Sequence, residues 1–299
     1  MKPYIAAFLS SCLFGLSFTF SRSALQHVDA MQMLAFRFVI AAALMHILRA
    51  MGVIKVELRL KQMGPLLVMG VIQPVLYFIF ETVGIALTSA SEASIVVALI
   101  PVFTVFFAIF FLKERPTALR LTFAAVSVSG VILIALVEAL GKTSGNLLGL
   151  LILLGAPICA ACFTVLSRYF SVRYRPAEIT FVMMNLSAVV FTTLAIAEQA
   201  YKGQLSTFFA PLTLPPVWMA ILYLGVGSSV GAFFLTNYTL SKIEASQMSV
   251  FNNLTTLIAV VAAVVILREP LHWYHVVGGA LIITGVWGTT TAAAKQKGR

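Results

Sequence analysis

Residues 90–114 read ASEASIVVALIPVFTVFFAIFFLKE, and residues 245–269 read ASQMSVFNNLTTLIAVVAAVVILRE. Laid over one another at an offset of 155, Ala90, Ser91, Ser94, Val105, Ala108, Leu112 and Glu114 fall on Ala245, Ser246, Ser249, Val260, Ala263, Leu267 and Glu269. The register continues through Ala125, Gly130 and Val131, which meet Ala280, Gly285 and Val286. An internal repeat constrains architecture before any local reading does. Both copies are strongly apolar, and an odd number of apolar segments separates them. Such copies cross a bilayer in opposite directions, the arrangement from which many alternating-access sites are built.

Composition sets the solvent for these segments. With 61% hydrophobic residues, 10% charged ones and a mean hydropathy of +1.02, the chain lies far outside the range of ordinary water-soluble domains. A helix crosses the ~30 Å hydrocarbon core with about 20 mostly apolar residues. On that ruler the sequence predicts helices at 3–22, 30–49, 64–88, 92–112, 118–138, 147–167, 177–197, 216–238, 245–267 and 272–293. A strand barrel would need alternating segments of about ten residues, and the sequence has none. The expected fold is an all-α integral membrane protein with ten transmembrane helices in two inverted five-helix repeats. Residues 1–140 form the first repeat, and residues 141–299 form the second with a short tail. The joint at 138–146 is polar and rich in small residues.

Charge placement orients the chain. With the N-terminus inside, the inner segments hold Lys2, Arg49, Lys55, Arg59, Lys61, Lys113, Arg115, Arg120, Arg168, Arg173, Arg175, Lys242, Lys295, Lys297 and Arg299. The outer loops hold Arg22, Lys142, Lys202 and Arg268, and Arg37 lies within a span. This bias toward one side places both termini in the cytoplasm of a cytoplasmic (inner) membrane. It also reads the net charge of +10 as contact with an anionic inner leaflet rather than with nucleic acid. The alternating segment 55–61 is expected at the inner interface. Met1-Lys2 ahead of an apolar run resembles a signal peptide, but the run has the length of a span. Its Ser21-Arg22 ending recurs as Ser167-Arg168 after the sixth segment, so the first helix is expected to be retained.

Polar groups inside hydrocarbon mark the candidate site, because a charge at mid-bilayer costs several kcal/mol. Arg37 and Glu81 lie at similar depths in the second and third segments, so an ion pair between them is feasible, either coupling or structural. Gln73, Tyr77 and Glu81 are spaced i, i+4, i+8 on one helical face. The eighth segment carries Ser229, Phe233 and Asn237. The ninth carries Gln247, Ser249, Asn252, Asn253 and Thr256, with Asn252-Asn253 near its middle. Lipid offers such groups no hydrogen bonds, so they face protein or a water-filled cavity. Pro74, Pro101 and Pro157 should kink their helices, and Pro101 is a candidate gating hinge. The run Gly225-Val-Gly-Ser-Ser-Val-Gly231, like Gly278-Gly279 and Gly285, reads as close helix packing. Glu114 and Glu269 are expected to cap or neutralise the neighbouring Lys113, Arg115 and Arg268. His46 is expected at the inner interface. Cys159 and Cys162 read as small apolar packing residues, and no metal site or cofactor is expected.

Several of these features resemble the EamA-type domain of the drug/metabolite transporter superfamily. They are Thr88-Ser-Ala-Ser-Glu-Ala-Ser94, Pro101-Val-Phe, Phe111-Leu-Lys-Glu-Arg115, Phe14-Gly-Leu-Ser-Phe18 and Arg37. A looser second copy runs through Ile243-Glu-Ala-Ser-Gln-Met-Ser249 and Ile266-Leu-Arg-Glu-Pro270. The copies differ where Pro101 meets Thr256, where Val97-Ala98 meet Asn252-Asn253, and where Arg37 meets an apolar residue near Met183. The resemblance implies a ten-helix inverted-repeat carrier that moves small organic metabolites, often outward, by alternating access.

Together the residues predict a midplane cavity between segments one, three, four, six, eight and nine. Phe14, Phe18, Tyr77 and Phe80 would line it, Gln73, Asn237, Asn252 and Asn253 would hydrogen-bond the substrate, and Glu81 would couple protons or take a substrate amine. The expected cargo is a small amphipath such as an amino acid, an amino-acid derivative, a nucleoside-like metabolite or a drug. No metalloprotease motif, nucleophile elbow or paired-carboxylate spacing points to an enzyme. A channel-like facilitator remains the alternative reading.

Overall fold

The computed structural model describes residues 2–58, 63–87, 96, 99–139, 147–266 and 271–297. Each apolar segment read from the sequence is helical over most of its described residues, and those residues contain no strand. α1 is Pro3–Ala24, α2 is Ala30–Ala50, and α3 comprises Gly64–Gly70, Val71–Leu76 and Tyr77–Leu87. α4 is described over Ile100–Leu112, α5 is Ala118–Ala139, and α6 comprises Leu147–Leu153 and Gly155–Phe170. α7 is Pro176–Tyr201, and α8 comprises Pro215–Leu222, Tyr223–Ala232 and Phe233–Leu240. α9 is Ala245–Ile266 and α10 is Trp273–Lys297. Seven of these segments are long and apolar enough to cross a membrane, and Ile100–Leu112 and Ala118–Ile134 are shorter apolar helices. In hydrocarbon the backbone must satisfy its own hydrogen bonds, which is why apolar runs of this length fold as helices.

Proline sets several starts. Pro3, Pro65, Pro176, Pro215 and Pro216 occupy first-turn positions, where a missing N–H forfeits no helical bond. Pro101 also stands in the first turn of the described part of α4, and the residues that would test it as a mid-span hinge lie partly outside the described ones. α6 breaks at Leu154, just before Pro157. The connection after α7 folds into short 3₁₀ turns whose Phe208 is buried against Phe36, with ring centroids 5.3 Å apart. In the alternating segment, Val56 is buried while Lys55 and Glu57 are exposed. The joint at 138–146 lies mostly outside the described residues, as do 88–95, Val97-Ala98 and Glu269.

α5 packs extensively on α10, α2 on α7, α1 on both α8 and α9, and α6 on both α3 and α4. α3 packs on α6 and α7, and α8 packs on α1 and α2. One apolar core joins α2, α3, α7 and α8 through Phe38, Met69, Met183, Phe191, Leu224 and Phe233. A second joins α1, α4, α5, α9 and α10 through Ala7, Ala108, Val131, Met248, Phe251 and Ile282. Glycines permit the closest approach. A methyl group added at Gly130 would sit 2.5 Å from the Gly278 carbonyl oxygen, and one at Gly285 would sit 2.5 Å from that of Phe123. Without Cβ atoms there, α5 and α10 pack backbone to backbone.

Candidate functional site

Both α3 and α8 lose regular α-helical geometry part-way along. In α3 the helix kinks within Val71–Leu76, where Gln73 is extended (φ −146°, ψ 125°) and Pro74 has no N–H to donate. In α8 the widened stretch is Tyr223–Ala232, which contains the run of small residues from Gly225 to Gly231. At the repeat offset of 155, Gln73 falls on Ser228 and Pro74 on Ser229. Wide turns such as those of α8 are frequent at functional sites.

Arg37 of α2 reaches into the α8 break. Its Nε donates to Ser229 Oγ at 2.7 Å and its Nη2 to Ser228 Oγ at 3.0 Å. The guanidinium lies over Phe78 of α3 at 4.9 Å and over Phe38 at 5.3 Å, and the residue is only 3% exposed. A buried cation between two aromatic faces gains from their quadrupoles, and the gain grows as water is removed. Glu81 follows the α3 break and accepts the Tyr77 hydroxyl at 3.0 Å, and both residues are partly exposed. The expected ion pair is not formed: among the described residues no salt bridge joins Arg37 to Glu81, because each is held by its own hydroxyl partners. They are nevertheless neighbours, since Arg37 covers Phe78 and the Phe78 ring meets Tyr77 edge-on at 5.2 Å. Gln73 contributes a buried Oε1 with no partner among the described residues.

The other expected site residues separate into two groups. Asn252 is partly exposed and has no hydrogen-bond partner among the described residues. Asn253 is buried and donates to Ser127 at 3.0 Å, tying α9 to α5. Asn237 is fully buried; it accepts from Ser167 at 2.7 Å and donates to Thr180 at 3.0 Å, so its amide joins α6, α7 and α8. Phe14 packs edge-on against Phe233 at 5.2 Å, Phe80 lies against Gly155 of α6, and Phe18 is exposed.

Sequence reading missed Ser228 as a partner of Arg37. It also missed Tyr223, whose hydroxyl donates to the Leu13 carbonyl at 2.9 Å and whose ring stacks on Phe20 at 4.2 Å. The signal for Ser228 was present: the repeat offset that pairs the two copies also pairs Gln73-Pro74 with Ser228-Ser229.

Glu114 behaves differently from the local cap expected of it. α4 ends with Lys113 in the left-handed region (φ 54°), which turns the next residue toward α9. There the Glu114 carboxylate accepts from the N–H of Ala245 at 2.8 Å, the N–H of Ser246 at 3.2 Å and the Ser246 hydroxyl at 2.6 Å. It therefore caps a helix other than its own, at the start of α9. Arg120, buried at the start of α5, adds a salt bridge to Glu244 and a bond to Ser246 at 3.3 Å.

With this geometry in place, comparison with known proteins is decisive. A profile described as the EamA-like transporter family matches residues 1–136 and again residues 147–291. The chain belongs to the EamA-like transporter family. Its members are transporters rather than enzymes, so this chain is a multi-pass membrane transporter. It is 38% identical over 296 residues to the uncharacterized transporter YcxC of Bacillus subtilis, covering 99% of this chain and 95% of that one. It is 28% identical to the pseudopaline exporter CntI of Pseudomonas aeruginosa over 74% of each chain. It is 26% identical to a probable terminal-alkyne amino-acid exporter of Streptantibioticus cattleyicolor over 66% of this chain and 63% of that one. A solved crystal structure superposes with a TM-score of 0.80 at 19% identity, covering 96% of this chain and 98% of that one. That likeness speaks for the fold.

Proposed function

We propose that this EamA-like transporter is a secondary carrier exporting a small organic metabolite, built as ten crossings in two inverted halves, 1–140 and 141–299, with both termini cytoplasmic. The single observation that carries the reading is the loss of regular α-helical geometry at equivalent places of α3 (a kink) and α8 (a widened stretch), beside which Arg37 and the Tyr77–Glu81 pair sit. Interrupted helices at equivalent positions of two repeats are where carriers of this architecture hold their cargo.

Packing supports the inverted pairing. Exchanging the halves turns the α1–α9 pairing into α6–α4, α1–α8 into α6–α3, and α2–α8 into α7–α3, all of which occur. Individual contacts follow the same rule. A methyl group at Gly70 would meet Leu186 at 2.9 Å and the Met183 backbone at 3.5 Å. One at Gly225, offset by 155, would meet Ile40 at 2.8 Å and the Arg37 backbone at 3.0 Å. Arg37 thus stands where the other half has Met183, and the site is asymmetric in charge within a nearly symmetric frame.

The two halves would rock about this site. Glu114 and Arg120 of the first half grip the start of α9 in the second, and in the proposed topology this clasp closes the cytoplasmic end. Outward direction is supported by the names of the two exporter relatives. Purified protein reconstituted in proteoliposomes should show counterflow of at least one compound from a panel of amino acids, amino-acid derivatives and nucleosides. Flux that never saturates would instead support a facilitator, and no flux of any panel compound would count against the carrier reading.

A further inference from the structure

The buried Arg37 and the partly exposed Glu81 beside the α3 break each lack an opposite charge in contact. A guanidinium has five N–H donors. Arg37 gives one from Nε to Ser229 and one from Nη2 to Ser228, and no other acceptor is found among the described residues. Neutral hydroxyls do not balance its charge, and a buried ion without an opposite charge in contact is strongly unfavourable. On the neighbouring helix, Glu81 accepts one hydroxyl bond through Oε1, while its Oε2 meets no donor among the described residues. Eight residues earlier, Gln73 Oε1 is buried and unpartnered. Three acceptor-starved donors thus stand near two donor-starved acceptors, and hydroxyls from Ser228, Ser229 and Tyr77 hold the opposite charges apart.

We infer that this arrangement is a slot for a zwitterion, with Arg37 taking a carboxylate and Glu81, helped by Gln73, taking an ammonium group of an α-amino acid or a derivative that keeps both groups. The inference rests on the carrier reading above and specifies its substrate class. A planar guanidinium fork matches a carboxylate in two parallel hydrogen bonds, which an ammonium cannot reproduce. Ser228 and Ser229 orient that fork from the second half, whereas Glu81 belongs to the first. A bound zwitterion would therefore link charges supported by both halves, and binding would favour the arrangement in which the halves meet.

The test uses three compounds of equal skeleton: L-propargylglycine, its carboxamide and 4-pentynoate. They carry both charges, only the ammonium, and only the carboxylate, and the alkyne allows detection without bulky labels. Counterflow into proteoliposomes of the full chain should carry the amino acid and reject each single-charge analogue by roughly 100-fold or more, as expected of a site built around specific polar groups. Arg37→Gln should abolish discrimination against the carboxamide while leaving that against 4-pentynoate, and Glu81→Gln should do the reverse. Arg37→Lys should recover part of the preference for the acid. The thermal midpoint of each purified variant guards against misreading a folding defect. Transport of the carboxamide as efficiently as the amino acid, or retained discrimination in Arg37→Gln, would overturn the slot. Counterflow of other panel compounds but none of these three would also overturn it and leave the carrier reading standing. Absence of all counterflow would strike the carrier reading itself.

Discussion

Asn237 illustrates how a polar residue in a membrane helix divides between structure and cargo. Its side chain bonds Ser167 and Thr180 on two other helices, so both ends of the amide are engaged. Asn237→Ala would leave the buried Ser167 hydroxyl without its acceptor and the Thr180 hydroxyl with only its bond to the Pro176 carbonyl, at a cost of about 1–2 kcal/mol. The thermal midpoint in detergent should fall while the apparent KM for a transported compound stays unchanged. Outside the membrane, Lys202 Nζ lies 2.9 Å from Asp29 Oδ2 and 2.7 Å from Glu198 Oε1, joining the start of α2 to the end of α7. The hydrogen bond from Lys202 holds the Asp29 carboxyl below its ordinary value, and the bonds to Glu198 and Asp29 raise the Lys202 ammonium above its own. Asp29 therefore adds stability above the ordinary carboxylate range, and that contribution disappears as pH falls through its lowered value. Lys202 adds stability below the ordinary ammonium range, lost as pH rises through its raised value. The effect is small because water screens both groups. Thermal midpoints of the parent and Asp29→Asn should differ by a constant amount from about pH 5 to 9 and converge below about pH 4.

Helices meet here through their smallest residues and their ends. At Gly285 a Cβ would collide with the Phe123 carbonyl oxygen and with the Ser127 backbone, whereas at Gly64 it would meet nothing within 4 Å. Gly285→Ala should destabilise by about 1–3 kcal/mol through forced separation of α5 and α10, and Gly64→Ala should leave the midpoint nearly unchanged. The ends matter equally. Three donors at the start of α9 depend on Glu114, a residue of another helix, and a carboxylate there also meets the positive end of the helix dipole. Glu114→Ala should loosen that junction by about 1–2 kcal/mol. In the proposed carrier this favours the state open to the cytoplasm, read as faster labelling of site residues from that face.

At the scale of the molecule, helix positions were legible because each apolar run carries its own length signal, and the described helices begin or end within a few residues of those readings. The family was legible in the repeat and its flanking motifs. Partnerships were less so. Arg37 and Glu81 share a depth, yet depth does not reveal that serines from α8 reach the guanidinium first. Likewise the carboxylate of Glu114 lies beside basic residues in sequence, and only the left-handed turn at Lys113 directs it across to α9. Side-chain partners depend on the rotation of each helix about its axis, which hydropathy does not encode when helices are apolar on every side. The repeat offset supplies part of that missing information, since it couples Gly70 to Gly225 and Gln73 to Ser228.

Alternating exposure of one site to the two faces is the central claim, and Asn252, partly exposed on α9 and proposed to line the cavity, offers a direct probe. The protein would carry Asn252→Cys, with Cys12, Cys159 and Cys162 replaced by alanine, in vesicles of each orientation, and be labelled with a membrane-impermeant maleimide. Labelling from both faces is predicted, with Glu114→Ala raising the cytoplasmic rate and lowering the outer one. Labelling from a single face in both proteins, unmoved by Glu114→Ala, would contradict the account.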